Sequence, residues 1–505
     1  MSAQIVGDPL RVDTRAMRVV LPIFLAAAAA IAAFLVASSM AIGLGYPLDD
    51  AWIHQTYARN LGHGGEWAFM PGQPSAGSTA PLWSALLALG YVLRLPHLAW
   101  AYLLGFLSLL ALAWIGERTF RDWLPDIDSR VPWAGLFLAG EWHLVWAAVS
   151  GMETLLAAAL ILLVLWRIGR ARGRAWLGVG LMIGLSVWVR PDGITLLGPA
   201  GLTLLLVTQG WKDCFRSALW LGVGLSLFLL PYLGFNLMVQ GSVLPNTFYA
   251  KQAEYAVLRE LPLLTRLFNE LKLPLIGAGL FLLPGAVAFV RHAWITRNWA
   301  ALAACIWFVG YALLYAMRLP VTYQYGRYFI PAMPVYFVIG LAGTALLARQ
   351  LNAPYGRYAR PRWILLRVWL LTTALLWLAF LGLGANRYAQ DVAVIEEEMV
   401  ASAIWIAENT SPDALIAAHD IGALGYYGDR DLLDLAGLVS PEVIPFIRDE
   451  QRMAAWLDDQ QADYLIVLSG WYETLPEGKE VVYASKGTAA PLAGGGSMTV
   501  YQWAP

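Results

Sequence analysis

The stretch "LGYPLDDAWIHQTYARN" contains two adjacent carboxylates, Asp49 and Asp50, directly after an apolar run that extends from Val19 to Leu44. A carboxylate near the end of a hydrophobic segment can cap a helix. It can also take the proton of a hydroxyl group while that hydroxyl attacks an electrophile. The chemical interpretation is favoured when other ionisable residues collect at the same boundary.

Further ionisable and aromatic residues stand in short polar segments between other apolar runs. These candidates are His54 and Tyr57 beside the acid pair, Glu153 in "SGMET", Arg190 in "VRPDG", Asn246, Tyr249 and Lys251 in "LPNTFYAKQ", Arg327 in "YQYGRYFIP", and His419 and Asp420 in "AAHDIG". Arginine and lysine hold phosphate through charge-assisted hydrogen bonds, and a nearby carboxylate can act as a general base. The acids and the three cations therefore suit a phosphorylated substrate that reacts with a hydroxyl group.

Each candidate also has a purely structural interpretation. One or both acids would cap a helix, and Glu153 would cap the helix that follows it. Arg190 and Arg327 would extend along lipid to reach water, and Lys251 would be solvated in its loop. The two histidines would be structural and not metal ligands.

The composition predicts that most of the chain is embedded in a membrane. Of 505 residues, 59% are hydrophobic and only 14% are charged, with a mean hydropathy of +0.57, whereas soluble proteins have roughly 25% charged residues. A span needs about 20 apolar residues. Eleven candidate spans result: 19–43, 97–116, 132–149, 152–168, 175–189, 193–209, 217–238, 273–290, 299–316, 329–348 and 363–384. Segment 80–94 is short for a span and is interpreted as a juxtamembrane or re-entrant helix, with a further span as the alternative.

The distribution of positive charge orients these spans. More than half of the 34 lysines and arginines fall in the N-terminal tail and in alternate loops, including "RIGRARGR" at 167–174 and the 349–367 loop. Because such loops stay in the cytoplasm, we expect an odd number of spans, with the N-terminus cytoplasmic and the C-terminus extracytoplasmic. The candidate residues then share the extracytoplasmic side. The net charge of −1 argues against a nucleic-acid partner.

The composition changes after about residue 385. Residues 1–384 are predicted to form the transmembrane domain, with a first outer loop at about 45–96, and residues 385–505 a soluble extracytoplasmic α/β domain. Within the latter, 391–408 is typical of an amphipathic helix, and "ALIAAHD", "DLLDLAG" and "DYLIVLS" are typical of strands. The domain has no obvious nucleophile or cofactor loop. We therefore expect it to help bind the acceptor and not to contain the catalytic centre.

At these residues the chain resembles the GT-C superfamily of polyprenyl-phosphate-sugar-dependent glycosyltransferases. This superfamily includes protein O-mannosyltransferases, lipid A aminoarabinose transferases and mycobacterial arabinofuranosyltransferases, and it has an acidic pair in the first outer loop after span one. "LDDAWIHQTYARNLGHGGEWAFMPGQPSAGSTAPLW" looks like that loop, most like the arabinofuranosyltransferase branch. "SGMET" is similar to the acidic motif of the second loop, with Glu153 where some relatives have Asp.

The resemblance implies a GT-C-like fold in a bacterial plasma membrane and an enzyme that moves a pentose or hexose from a polyprenyl phosphate to a glycan, glycolipid or protein acceptor. Asp49 would be the catalytic base, and Asp50 would orient it or bind acceptor or metal. Arg190, Lys251 and Arg327 would bind the donor phosphate. The supporting residues would be His54, Tyr57, Glu153, Asn246, Tyr249, His419 and Asp420. No cofactor is required with certainty; a divalent cation, if present, would use Asp50 and Glu153.

Two other classes of function remain open at this point. A transporter or flippase of lipid-linked saccharides would also need many spans, but its functional charges usually lie near the bilayer midplane. The predicted spans are almost free of charge, which favours an enzyme. A receptor or scaffold whose outer domain binds a partner is the third interpretation, and the intact acid pair argues against it.

The topology predicts which loops an impermeant reagent reaches. Single cysteines introduced beside Asp49, Glu153, Arg190, Lys251 and Arg327 should react with an impermeant thiol reagent in intact spheroplasts. A cysteine beside Arg172 should be protected, because the arginine-rich segment around it is predicted to be cytoplasmic. Labelling confined to the Arg172 site would contradict the predicted orientation.

Overall fold

The chain is described here by a computed structural model that covers residues 14–127, 129–352 and 358–503. Most of the N-terminal tail and five residues of the 349–367 loop lie outside the described residues. The α-helices are α1 Thr14–Ala41, α2 Asp49–Gly64, α3 Pro81–Val92, α4 His97–Trp123, α5 Trp133–Ala139, α6 Trp142–Ala148, α7 Thr154–Ile168, α8 Ala175–Val189, α9 Leu197–Val207, α10 Trp211–Gln240, α11 Asn246–Glu254, α12 Leu263–Leu271, α13 Leu283–Ile295, α14 Trp299–Arg318, α15 Met333–Leu351, α16 Ala359–Val394, α17 Ala401–Asn409, α18 Glu450–Asp459 and α19 Ala489–Leu492.

Long apolar helices dominate the first three quarters of the chain. Within the described residues, seven helical segments are long and apolar enough to cross a membrane: Met17–Ala41, His97–Trp123, Trp211–Gln240, Gly277–Ile295, Trp299–Arg318, Gln324–Leu351 and Ala359–Asn409. The other four predicted spans coincide with shorter apolar helices, namely α5 with α6, α7, α8 and α9. The chain is therefore a multi-pass membrane protein, as predicted, while the count of eleven spans stays a prediction. The segment predicted at 80–94 is the 12-residue helix α3.

The predicted span 132–149 is broken in its middle, and it contains charge that the sequence reasoning passed over. Helix α5 ends before Gly140, and α6 starts after Glu141. The Glu141 carboxylate accepts hydrogen bonds from the backbone N–H groups of His143 and Leu144 and contacts Nδ1 of His143 at 2.8 Å. Glu141 thus caps the second half-helix, so its burial has a structural explanation.

Close packing between helices joins the membrane part into one body. Helices α8 and α10 approach each other so closely that a Cβ atom on Gly180 would lie 2.1 Å from the carbonyl oxygen of Leu221. Small residues at such crossings let two backbones meet without a side chain between them, which is how helices pack in lipid. Helix α1 packs against α16 and α4, and α13 packs against α15.

The C-terminal region forms a five-stranded mixed sheet. Its strands are β3 Leu415–Ala418, β4 Asp431–Asp434, β5 Tyr464–Leu468, β6 Glu480–Ala484 and β7 Met498–Gln502, in the order β4-β3-β5-β7-β6; a separate hairpin in the first loop contains β1 Ala68–Met70 and β2 Gln73–Pro74. The three strands predicted from the sequence are β3, β4 and β5, which run parallel. Strands β6 and β7, which the sequence reasoning missed, add an antiparallel edge.

One continuous helical path connects the membrane part to this sheet. Helix α16 leads through a π-helical turn, Ile395–Val400, into α17, where the sequence predicted an amphipathic helix at 391–408. Glu398 in this turn is fully buried; its carboxylate accepts hydrogen bonds from Ser485 Oγ and, at 2.8 Å, from the Met498 backbone N–H. The segments that follow β3 and β4 contact the membrane part, as described below.

Candidate active site

A cavity of about 640 Å³ opens between the membrane helices on the side that carries the C-terminal domain. Its walls come from the start of α2, the loop before α3, the starts of α7 and α11, residues 190–195 between α8 and α9, the end of α14 and the segment before α15, with Leu438 from the C-terminal region. The polar and charged residues among its lining are Asp50, His54, Thr79, Glu153, Thr154, Arg190, Asp192, Thr195, Thr247, Lys251, Gln252, Tyr315, Arg318, Arg327 and Tyr328. Six of the residues singled out from the sequence therefore line a single cavity.

The first charged cluster in the cavity wall is a carboxylate between two cations. The Asp50 carboxylate lies 2.6 Å from Nη1 of Arg327 and 3.1 Å from Nζ of Lys251. The Tyr328 hydroxyl accepts a hydrogen bond of 2.9 Å from each of these cations. Arg327 is nearly buried, with a side chain 9% exposed, so it is paired and does not extend to water as a boundary arginine would.

These contacts determine the protonation of Asp50. Burial opposes ionisation, but the charges of Arg327 and then Lys251 outweigh it and hold the pKa of Asp50 well below its ordinary value. For Lys251, burial again opposes the charged form, and the Asp50 charge raises its pKa. Asp50 is therefore ionised at neutral pH, and the cluster of one acid and two cations has a net charge of +1.

The second charged cluster surrounds Arg190 on another wall of the same cavity. Its guanidinium group contacts Glu153 Oε1 at 3.0 Å and Asp192 Oδ2 at 3.0 Å, and it donates to the Tyr315 hydroxyl at 2.9 Å. The Tyr311 and Tyr315 hydroxyls donate to the same Asp192 oxygen at 2.7 and 2.5 Å. Two acids on one arginine give this cluster a net charge of −1 when His54 is neutral.

Glu153 presents one free oxygen within this second cluster. Its side chain is 2% exposed and makes no capping bond to α7, so the capping interpretation is wrong. Oε2 has no hydrogen-bond partner among the described residues, although His54 Nε2 lies 3.4 Å away. The other His54 nitrogen, Nδ1, contacts the Ser84 hydroxyl at 3.0 Å and the Ser78 hydroxyl at 3.2 Å. His54 Nε2 and the Arg190 guanidinium group thus approach different oxygens of the Glu153 carboxylate.

Asp49 faces away from the cavity and toward the C-terminal domain. Its two carboxylate oxygens accept hydrogen bonds from the backbone N–H groups of Gly422 at 2.6 Å and Ala423 at 2.7 Å. Burial, followed by repulsion from Asp420, raises its pKa to about 7. Neither acid of the pair caps α2, whose N-cap residue is Leu48. The two neighbouring carboxylates thus serve different parts of the molecule.

The remaining residues predicted to support a substrate lie around the cavity without lining it. The Tyr57 hydroxyl contacts Ser75 Oγ at 2.6 Å and accepts from the Gly77 N–H at 2.9 Å, which ties the first loop together. The Asn246 amide donates to the Leu438 carbonyl at 3.2 Å, while Tyr249 is 40% exposed.

His419 and Asp420 lie at the end of β3, close to the last residue of α11. His419 Nε2 contacts Glu254 Oε1 at 3.2 Å, and Nδ1 lies 3.7 Å from Asp420. Although burial opposes protonation, these two acids raise the pKa of His419 to about 10, so the imidazole is charged at neutral pH. A charged histidine is no metal ligand.

The residues present do not fit a bound divalent cation at Asp50 and Glu153. Among the described residues there is no group of three or more histidine, cysteine, aspartate and glutamate side chains that could hold a metal ion. Asp50 and Glu153 are each already neutralised by an arginine or a lysine.

Three polar side chains of the cavity wall were not among the candidates taken from the sequence. Tyr328 and Asp192 stand next to, or two positions from, an arginine that was singled out, and Tyr315 lies one turn before the end of α14. Tyr328 is part of the "GRYFIP" stretch, and Asp192 is part of "RPDG". The missing signal was that a charge at a membrane boundary needs partners, and that adjacent tyrosine or acid side chains are the nearest candidates.

Replacement of Lys251 by methionine tests the charge coupling at Asp50. One cation fewer should raise the pKa of Asp50 toward its ordinary value and lower the free energy of unfolding by about 1–4 kcal/mol at pH 7. The folded pKa of Asp50 lies below its unfolded value, so this contribution is present above about pH 4 and is lost as the pH falls toward the folded pKa. The gap in melting temperature between wild type and variant, measured in detergent, should be constant between about pH 8 and pH 5, where Asp50 is ionised in both proteins. It should narrow only as the pH falls below the folded pKa of Asp50 in the variant.

Lys272→Met is the matched control, because the exposed Lys272 ammonium group donates to the Asn269 side chain and not to an acid. It should leave the melting temperature nearly unchanged across this range. A Lys251→Met variant that melts at the same temperature as Lys272→Met at pH 7 would show that Lys251 and Asp50 are not coupled.

Comparison with known proteins gives one result for the C-terminal region and another for the whole chain. A family model described as a domain of unknown function (DUF8728) matches residues 385–501. No curated protein matches the chain. The described structure nevertheless superposes on solved membrane proteins over nearly its whole length.

Three of these similar structures are informative. ArnT from Cupriavidus metallidurans, both in the apo state and bound to undecaprenyl phosphate, has a TM-score of 0.59 and 16% identity, and the match covers 95% of this chain and 97% of ArnT. A mutant of the arabinofuranosyltransferase AftD from Mycobacteria has a TM-score of 0.52 and 17% identity, with 95% of this chain matched to 41% of AftD. At such identities the likeness carries the fold alone. The chain therefore shares the fold of ArnT and of the matched part of AftD.

Proposed function

We propose that the chain is an integral membrane glycosyltransferase that moves a sugar from a polyprenyl-phosphate donor to an acceptor hydroxyl group on a glycan, glycolipid or protein. The observation that carries the proposal is the cluster of Asp50, Lys251 and Arg327 in the wall of a cavity between apolar helices. A net positive charge attracts phosphate, and the apolar surroundings suit a lipid tail. The similar ArnT structure with undecaprenyl phosphate bound supports this class of donor.

The contacts favour Lys251 and Arg327 over Arg190 as ligands of the donor phosphate. These two cations share only one acid, so a phosphate that approaches them adds a missing negative charge. Arg190 is already bound by Glu153 and Asp192, and a phosphate there would meet a net negative cluster. Charge-assisted hydrogen bonds to phosphate form where positive charge is in excess.

The contacts also favour Asp50 over Asp49 as the general base. Asp50 lines the cavity, whereas both oxygens of Asp49 are bound to the backbone of the C-terminal domain. In the donor-free protein the two cations keep Asp50 strongly acidic, which makes it a weak base. A phosphate that takes over these cations would raise the pKa of Asp50 and free its oxygens, so that the base becomes effective only beside a bound donor.

The transfer step then follows from the groups in the cavity. The oxygen of the acceptor hydroxyl attacks the anomeric carbon, and its proton passes to the Asp50 carboxylate. The bond between the anomeric carbon and the phosphate oxygen breaks, and its electron pair leaves with the phosphate. Lys251 and Arg327 stabilise the added negative charge on the leaving group. The products are a glycosylated acceptor and polyprenyl phosphate.

The second cluster is suited to hold the sugar. Glu153 Oε2 is a buried acceptor without a hydrogen-bond partner among the described residues, and Glu153 lines the cavity. A sugar hydroxyl that donates to this oxygen would satisfy a group whose burial is otherwise unfavourable. His54 and Arg190 hold the Glu153 carboxylate in place from two sides.

The enzymatic reaction separates this proposal from transport. Purified chain in nanodiscs should convert one of a panel of undecaprenyl-phosphate pentoses and hexoses to free undecaprenyl phosphate, and only when a suitable acceptor is present. A transporter or flippase would move the intact lipid and release none. Failure of the whole panel, with lipid movement across proteoliposomes instead, would overturn the proposal.

Three variants separate phosphate binding from base chemistry. Lys251→Met and Arg327→Gln should weaken binding of undecaprenyl phosphate by about 1.5–3 kcal/mol, which is the value of a hydrogen bond to a charged group. Asp50→Asn removes the competitor for both cations, so it should bind undecaprenyl phosphate at least as tightly as wild type. Its single-turnover rate should nevertheless fall by about 10² or more. The measurements are donor affinity by titration and rate by rapid quench on the same preparations.

The sign of the Asp50→Asn effect on affinity is the decisive result. A structural role alone predicts weaker binding and lower stability together. Near-normal turnover in Asp50→Asn would remove Asp50 as the base, and clearly weaker phosphate binding would contradict the competition between Asp50 and the phosphate.

A further inference from the structure

We infer that the C-terminal domain positions the two elements that carry Asp50 and Lys251, and that Asp49 is the positioning residue through which it holds α2. The inference assigns a structural role to residues 385–501, the region matched by the domain of unknown function. This inference deepens the proposed function. Its donor-binding test rests on that function, and its hydrogen-exchange test does not.

Helix α2 contacts both ends of the short helical segment 422–428, which follows β3. At the start of this segment the Asp49 carboxylate accepts the N–H groups of Gly422 and Ala423. At its end Arg59 donates to the carbonyl oxygens of Tyr426 at 2.6 Å and Gly425 at 3.1 Å. An acid thus meets unpaired N–H groups, and a cation meets unpaired carbonyl groups. Each charge complements the partial charge of the backbone end that it contacts.

The fit between α2 and this segment is close in its middle as well. A Cβ atom on Gly422 would lie 2.0 Å from the Asp49 backbone oxygen, so only glycine allows this approach. The Trp52 ring packs against both Tyr426 and Tyr427, with ring centroids 4.9 Å apart in both pairs. Contacts at two ends and in the centre fix both the position and the rotation of α2 on the domain.

The rotation of α2 matters because Asp49 and Asp50 are neighbours on it. Successive residues of an α-helix point about 100° apart, so the face that presents Asp49 to the domain turns Asp50 toward the cavity. A helix free to rotate by a fraction of a turn would separate Asp50 from Arg327 and Lys251. The acid pair is therefore one docking residue and one cavity residue.

The same domain also holds α11, which carries Lys251. His419 at the end of β3 contacts Glu254 at the end of α11, and the Asn246 side chain at its start donates to the Leu438 carbonyl after β4. Both contacts come from the carboxyl ends of parallel strands. Two of the three charged residues at the proposed phosphate subsite therefore stand on elements docked to one sheet.

Hydrogen exchange and donor affinity on the full chain in nanodiscs test this inference. Asp49→Ala and Arg59→Met remove the two ends of the contact, and Asp49→Asn keeps one of its two acceptor oxygens. Glu66→Ala and Arg94→Met are the controls, because both side chains are exposed and neither makes a hydrogen bond or ion pair to the C-terminal domain within the described residues. Backbone amides in 415–430 and 246–254 should exchange faster in Asp49→Ala and Arg59→Met by about 10-fold, with Asp49→Asn between them and wild type.

Donor binding provides the functional measure. The dissociation constant for undecaprenyl phosphate should rise about 5–150-fold in Asp49→Ala, which is the usual range for coupling between two sites. The single-turnover rate at saturating donor should fall less than about 10-fold, because the chemical group that reacts is still present. Exchange in 415–430 that matches the control variants would overturn the inference.

Two other outcomes are equally informative. If Asp49→Asn loses about 10² or more in turnover while exchange and affinity stay normal, then Asp49 is the base and not a positioning residue. If wild type transfers no sugar, the proposed function fails, but the exchange result still decides whether the domain holds α2.

Discussion

One carboxylate shared by two cations organises this molecule. Asp50 pairs with Lys251 and Arg327, which are 201 and 277 positions away in the chain, and the three side chains are only 26%, 15% and 9% exposed. Charges in such surroundings persist only when they are paired, since an unpaired charge is strongly destabilising. The first loop, α11 and the segment before α15 must therefore meet at one point, and the cavity forms around that point. A phosphate is an alternative partner for the same two cations.

The two adjacent acids have different partners because a helix points neighbouring side chains in different directions. Asp49 is bound by the backbone of the C-terminal domain, and Asp50 is directed to the cavity. Glu153 and Asp192 neutralise Arg190 on another wall of the site. The cavity is thus positive where a phosphate would bind and negative where a hydroxylated sugar would bind. This polarity is the strongest physical argument for a lipid-phosphate-linked sugar as substrate.

Much of this arrangement could be predicted from local sequence, and the part that could not depends on long-range contacts. Apolar length predicted the long helices, and boundary position selected Asp50, Glu153, Arg190, Lys251 and Arg327 for one cavity. Hydrophobic runs predicted the parallel strands β3, β4 and β5. Strand β6 is largely exposed, and the buried strand β7 mixes apolar and polar residues, so neither contains an apolar run as long as those of β3 and β5. The partner of Asp49 lies 373 positions away, so no local pattern could assign its role. The resemblance to GT-C enzymes made Asp49 the base, whereas its contacts favour a docking role.

A structure of the chain with undecaprenyl phosphate would test most directly whether phosphate replaces Asp50 at the two cations. We expect phosphate oxygens at about 2.7–2.9 Å from Lys251 Nζ and the Arg327 guanidinium group, with the Asp50 carboxylate released from at least one of them. Arg190 should keep its contacts with Glu153 and Asp192. A phosphate bound at Arg190, with the pairs between Asp50, Lys251 and Arg327 intact, would contradict this competition.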